Sequence, residues 1–285
     1  KRILSSDCIK QDTFPLIFRI LKLIFLLYNK KIIIFNVQAR MTSFDFIFKP
    51  YKSLGYGGRG QYIYREYYDR FFRVDLNIFK KKINTFVDIG CSRGFFSVYL
   101  AKAYKCKTIS IDLYKYALSD CKENLELNNI YESIVKRAAV GSHEDNGERI
   151  IIDNKQVPSR TSVLKSKKIN YDSSDSVEMI SIDGVLEDYK INSFDLLKID
   201  VEGYELEVLE GSINSIKKYR PIIYIEFSRK KHKIIQIFHE INYLAFMPLS
   251  NGELLLINES NLLKRLYENI FLVPKENANF NFHKI

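Results

Sequence analysis

The residues of this chain whose types and spacing could do chemistry fall at the ends of short apolar runs. They are Asp88, Gly90 and Gly94 in FVDIGCSRGFFS, Asp112 in TISID, Asp200 and Glu202 in LLKIDVEG, and Glu226 in PIIYIEFS. An acid that closes a strand-like run, followed by glycines and a helical pattern, is how a parallel sheet holds a ligand beyond the carboxyl ends of its strands. Glycine in such a turn allows a close approach to the backbone. The spacing from Asp88 is D-x-G-x-x-x-G, with Ser92 where a middle glycine would stand. A nicotinamide pyrophosphate calls for G-x-G-x-x-G, so a dehydrogenase is disfavoured. Asp88 is instead expected to face a cationic or hydroxylated group. Asp112, about twenty residues on, is placed to accept the hydroxyls of a ribose. Together they fit an adenosine that carries an amino-acid tail, which is the shape of S-adenosylmethionine.

In FDLLKIDVEGYELEVLEG, Lys198, Asp200 and Glu202 alternate near a strand end before Gly203 breaks it. Asp200 is expected to point into the cleft, and Glu202 shares its face by strand periodicity. The bland alternative is that all three are surface charges. Against it, three charged residues at one strand's carboxyl end are costly unless used or paired. A hydroxyl acceptor needs a base or a metal, because its pKa lies far above neutrality. Glu202, Asp200 and Glu226 are the candidates. Clustered acids either raise one pKa, giving a base, or hold a divalent ion. The base reading is preferred, and no residue is assigned to a metal. His232 and His239, in a basic stretch, are read as surface residues.

These residues need a scaffold, and from Asn84 apolar runs of strand length alternate with helical stretches. Helices are expected over Phe95–Tyr104, Tyr114–Asn128, Tyr204–Ile216 and Lys230–Glu240. Strands are expected at TFVDIG, KTISID, SIVKRAAV, FDLLKIDV, PIIYIEFS and Glu253–Ile257. Such alternation means crossover units, hence an α/β fold with a parallel sheet and helices on both faces. Gly141–Met179, rich in Ser, Asp and Lys, reads as a hairpin insertion with short runs at Arg149–Ile152 and Thr161–Leu164. Lys275–Ile285 reads as a polar tail.

The chain has 285 residues, enough for one sizeable core and a small appendage. Its net charge of +10 is uneven, since residues 1–82 hold 17 basic and 6 acidic residues and the remainder is close to neutral. A neutral body argues against a nucleic-acid partner, whose enzymes present a basic face. Phe14–Val37 is the most apolar stretch, interrupted by Arg19, Lys22, Lys30 and Lys31, and no uncharged run approaches the ~20 residues that span a bilayer. It reads as an amphipathic helix with a basic stripe, lying in a membrane surface or packing on the domain or on a second copy in a homo-oligomer. Residues 49–73 mix Gly, Arg and Tyr and read as an edge hairpin. Cys8, Cys91, Cys106 and Cys121 form no CxxC pair and read as buried thiols of a reducing compartment, so a cytoplasmic setting, with or without peripheral membrane contact, is expected. The division expected is an N-terminal basic extension over 1–48, a Tyr/Arg-rich lead-in over 49–82, the catalytic domain over 83–270 and a tail over 271–285.

Six blocks in order, DIGCSRGFFS, ISID, RAAVGS, SIDGVLED, LLKIDVEGYELEVLEG and RPIIYIEFS, resemble the FkbM family of S-adenosylmethionine-dependent methyltransferases. The resemblance covers roughly Asn84 to Ser228. It implies a Rossmann-like class I methyltransferase sheet with one antiparallel strand, and O-methylation of a sugar, glycan, lipid-linked or other small-molecule acceptor. It further implies that Asp88, Gly90 and Gly94, with their neighbours Cys91 and Phe95, line the methionine end of the cofactor. Asp112 and Leu113 would hold the ribose, Ala138 and Ala139 would pass near the adenine, and Asp200 and Glu202 would sit at the reacting centre. Where the family often has Ala-Asn-Ile or similar, this chain has Cys91 and Ser92–Arg93. Asp183 in SIDGVLED matches a recurrent Leu-Asp pair whose role does not follow from the sequence. The rival readings are a methyltransferase of RNA or protein, whose base-methylating form would carry N-P-P-[YF] where IDVEG stands, and a non-catalytic, membrane-attached protein of the same fold.

Overall fold

The computed structural model describes residues 33–39, 42–48, 71, 74–147, 149–151, 176–201, 203–226, 231–249, 251–258 and 269–282. Its strands are β1 (Ile33–Ala39), β2 (Thr42–Phe48), β3 (Thr85–Ile89), β4 (Lys107–Asp112), β5 (Ile134–Arg137), β6 (Ala139–Val140), β7 (Arg149–Ile151), β8 (Ser176–Ile180), β9 (Leu196–Ile199), β10 (Ile222–Glu226), β11 (Tyr243–Pro248), β12 (Leu254–Ile257) and β13 (Asn269–Pro274). Its helices are α1 (Phe95–Tyr104), α2 (Lys115–Leu127), α3 (Ile182–Asp188), α4 (Glu205–Glu210), α5 (Ile213–Tyr219) and α6 (Lys231–Glu240).

The central sheet has eight strands in the order β12-β11-β13-β10-β9-β3-β4-β5. Strands β5, β4, β3, β9 and β10 run parallel. Strand β13 inserts antiparallel between β10 and β11. Strand β12 then pairs antiparallel with β11 and adds a further edge. The sheet is thus the Rossmann-like, mostly parallel one, widened by a hairpin. All five residues of β3 are buried because helices cover both faces, which is why the strand reads as an unbroken apolar run. On one face Phe86, Leu196, Tyr224 and Phe271 meet Val98 of α1 and Leu125 of α2. On the other, Val87, Ile109, Leu197 and Ile223 meet Val185 of α3, Val208 of α4, Ile216 of α5 and Phe238 of α6.

Several sequence expectations change in detail. The single helix expected over Tyr204–Ile216 is two helices, broken at Gly211–Ser212. A Cβ at Gly211 would overlap the carbonyl oxygen of Gly141, so backbone packs on backbone where the helix bends. SIVKRAAV also divides: β5 joins the main sheet, and β6 pairs with β8 in a three-stranded sheet that includes β7. The helix expected over Phe14–Val37 does not reach its last residues, since Ile33–Val37 belong to β1, paired antiparallel with β2. The β-branched run Ile32–Ile34 favours a strand there. Residues 14–32, the lead-in 49–70, and Thr161–Leu164 lie outside the described residues. The boundary expected at 270/271 falls inside β13, and the expected polar tail is not loose. Phe280 packs against Phe79 and Phe246, and Phe282 packs against Phe246. Among the described residues no helix is long and apolar enough to cross a membrane.

Candidate functional site

Cross-strand register brings the candidate residues into two rows. Ile111, Ile89, Ile199 and Ile225 stand side by side across β4, β3, β9 and β10. One residue further along each strand come Asp112, Gly90, Asp200 and Glu226. One residue earlier come Ser110, Asp88, Lys198 and Tyr224, which share the α1 side of the sheet by strand periodicity. The chain winds outward from β3 through β4 to β5, then returns to place β9 on the other side of β3. The boundary between β3 and β9 is therefore a topological switch point, where open α/β sheets bind ligands. Asp88 and Asp200 flank it.

The turn after β3 is wound tightly. Gly90, Ser92 and Gly94 all have positive φ, at 73°, 49° and 76°. The close approach that Gly90 permits is the protein's own: a Cβ there would overlap the carbonyl oxygen of Asp200. At Gly94 a Cβ would lie 2.5 Å from Cys121 Sγ, so this glycine seats α1 on α2. The Gly90 and Cys91 amides donate to the Ile111 carbonyl at 2.9 and 3.2 Å, which ties the turn to β4.

Asp88 is 1 % exposed. Its Oδ2 accepts the Ser97 hydroxyl at 2.7 Å, and Ser97 in turn meets Ser110 at 2.8 Å. Lys198 Nζ stands 3.9 Å from Asp88 Oδ1 and 3.0 Å from Asp200 Oδ2. Among the described residues Asp88 Oδ1 makes no hydrogen bond. Burial pushes the Asp88 carboxyl above its ordinary range, while Lys198 and the Ser97 hydroxyl pull it down. Asp112 is pinned by two backbone amides, from Ser92 to Oδ2 at 2.9 Å and from Tyr114 to Oδ1 at 2.8 Å. Burial raises its carboxyl too, and those amides oppose the rise. Each carboxylate oxygen has a second lone pair, so the pinned group can still accept hydroxyls. Asp200 is 47 % exposed and opens toward solvent.

The other expected residues divide. Leu113 lies against a small apolar cluster of Ala139, Val177 and Met179, joined by Tyr204. Ala138, next to Ala139, is buried in the large core instead, because adjacent strand residues face opposite ways. Phe95 is the first residue of α1 and is buried in the other core cluster. Cys91 is buried, and burial with Cys121 beside it keeps the thiol protonated at neutral pH. Glu226 is half-buried at the end of β10, in the register position beside Asp200. Glu202 lies outside the described residues. Among the described residues no cluster of three or more His, Cys, Asp or Glu is arranged to hold a metal ion.

Sequence reasoning did not find Ser97, Ser110, Tyr204 or Asp145. Asp145 is buried and accepts hydroxyls from Ser142 at 2.8 Å and Tyr204 at 3.1 Å. Ser142 lies in the same loop, but Tyr204 reaches Asp145 from 59 residues away, and Ser97 and Ser110 meet from α1 and β4, contacts that no local spacing announces. Asp183 also gains a role: it accepts the Ser215 amide at 2.8 Å and the Asn214 amide at 3.1 Å, and so caps α5 across the α3–α5 contact.

The family model described as "Methyltransferase FkbM domain" matches residues 88–246. Curated protein sequences give no match. Among solved structures the chain is similar to methyltransferase FkbM from Methylobacillus flagellatus KT, at 14 % identity and a TM-score of 0.44, over 77 % of this chain and 55 % of that one. The chain therefore spans about half the length of that protein. It is also similar to M. capricolum TrmK in complex with S-adenosyl-homocysteine, at 14 % identity and a TM-score of 0.36, over 73 % of this chain and 68 % of that one.

Proposed function

Since the chain belongs to the FkbM methyltransferase family, we propose that it transfers a methyl group from S-adenosylmethionine to a hydroxyl of a sugar, glycan, lipid-linked or other small-molecule acceptor. The observation that carries the reading is the gathering of acids at the switch point: Asp88, Asp112 and Asp200 near the carboxyl ends of three neighbouring strands, with the left-handed turn at Gly90–Gly94 between them. A buried carboxylate oxygen without a hydrogen bond, on Asp88, suits a ligand that brings a donor or a positive charge. Asp112 would hold the ribose hydroxyls, and the partly exposed Leu113, packed on the buried Ala139 and Met179, would lie near the adenine.

When bound, S-adenosylmethionine supplies a methyl group already made electrophilic by its sulfonium. What remains for the protein is to aim the acceptor hydroxyl and remove its proton. Asp200 faces solvent at the switch point, Glu226 follows in register on the next strand, and Glu202 stands two positions beyond Asp200; one of these three takes the proton. The near-neutral charge of the chain beyond residue 82 favours a small or uncharged acceptor over RNA.

The test is incubation with methyl-labelled cofactor and a cell extract. Label is expected in a small-molecule or glycan fraction that resists nuclease and protease. Label in RNA or protein contradicts the acceptor class, and no label in any fraction contradicts transfer. Glu202→Gln is expected to lose ~10²-fold or more in turnover with unchanged cofactor affinity. A wild-type rate removes Glu202 as the base and leaves Asp200 and Glu226.

A further inference from the structure

A lysine stands between the two carboxylates that flank the switch point. The Lys198 side chain is 6 % exposed, with Nζ 3.0 Å from Asp200 Oδ2. The same nitrogen is 3.9 Å from Asp88 Oδ1 and 4.9 Å from the centre of the Phe96 ring on α1. A carboxylate buried away from water does not stay ionised at ordinary pH unless a countercharge sits with it. Among the described residues, the groups around this lysine include Asp88 on β3, Asp200 after β9 and Phe96 on α1, and its charge also reaches Asp112 at the end of β4. Glu226, at the end of β10, is the next acid in the row.

We propose that Lys198 is a positioning residue for the transfer: held by Asp200 at 3.0 Å and standing 3.9 Å from the buried Asp88, it supplies the countercharge of Asp88 and so sets the charge that a cationic ligand meets at this edge. The link to transfer rests on the cofactor reading above, but the charge pairing can be tested without any ligand. Without Lys198, burial pushes the Asp88 carboxyl up, with the charges of Asp200 and Asp112 adding to it, and the Ser97 hydroxyl opposes them. An acid whose pKa is raised by folding stabilises the fold at low pH, and that stability is lost as pH rises through the raised value.

The experiment compares melting temperatures of wild type, Lys198→Met and Lys198→Arg at pH 6 and pH 8.5. Relative to wild type, Lys198→Met is expected to lose at least ~3 °C more at pH 8.5 than at pH 6. Lys198→Arg, which keeps the charge, is expected to show no such difference. An equal loss at both pH values for Lys198→Met, as a purely packing role would give, overturns the proposal. If Lys198→Met does not fold at either pH, the double variant Asp88→Asn/Lys198→Met decides. Folding with no pH-dependent loss relative to wild type supports the pairing, and failure to fold or a retained loss overturns it. The second readout is calorimetry with S-adenosylmethionine in buffers of different ionisation enthalpy. Lys198→Met is expected to release more protons on binding than wild type, because the cation drives the protonated Asp88 to ionise. Equal release overturns the positioning role. A wild type that binds no S-adenosylmethionine removes the cofactor reading and the link to transfer, while the melting comparison still decides whether Lys198 is the countercharge of Asp88.

Discussion

Gly90 shows how a single residue can be needed for a reason other than the one its motif suggests. Its φ of 73° disfavours any L side chain, and a Cβ would overlap the Asp200 carbonyl oxygen. Gly90→Ala is therefore expected to cost ~2 kcal/mol or more, read as a fall of roughly 5 °C in melting temperature. An unchanged melting temperature would show that the turn relaxes freely. The acids were legible one at a time: Asp88, Asp112 and Asp200 each close an apolar run, and each lies at the carboxyl end of a parallel strand. Lys198 stood out as a charge inside an apolar strand, but its partner Asp88 is 110 positions away, and only the β3–β9 register joins them. The hydroxyls that complete the network, from Ser97 and Ser110, look like any other serine in the sequence.

At the scale of elements, the alternation of strand and helix was readable because each crossover is local. The boundaries of α1 agree with the expectation because Gly94 and Lys105, both left-handed, bracket it. The break between α4 and α5 was not readable, since its cause is the approach of Gly141 from another segment. Asp183 belongs to this scale too. It sits on α3 yet caps α5 through two amides, so Asp183→Ala is expected to destabilise the fold by ~1–2 kcal/mol, roughly 4 °C, with cofactor affinity intact. A drop in affinity without a drop in melting temperature would contradict the capping role. Strand β13 inserts antiparallel between β10 and β11. Its apolar run Ile270–Val273 is strand-like in itself, but nothing nearby in the chain says that it enters the middle of a sheet.

For the whole molecule, the C-terminal segment closes the core rather than trailing from it. Phe280 and Phe282 join the cluster around Phe246 and Phe79, and Glu276 pairs with Arg220 at 2.8 Å, with the same guanidinium reaching the carbonyls of Ile241 and Asn242. Removing residues 275–285 is expected to cost ~3 kcal/mol or more, seen as a lower denaturation midpoint in urea. An unchanged midpoint would show that the segment contributes nothing. The sheet, its two covered faces and the closing segment together serve one arrangement, the acids gathered at the carboxyl ends of β4, β3 and β9. The proposed function requires that this strand-end edge hold S-adenosylmethionine, and calorimetric titration of wild type, Asp88→Ala and Asp200→Ala tests it most directly. Saturable binding to wild type with at least tenfold weaker binding to each folded variant is the predicted result. No binding to wild type, or equal affinity in all three, would contradict it.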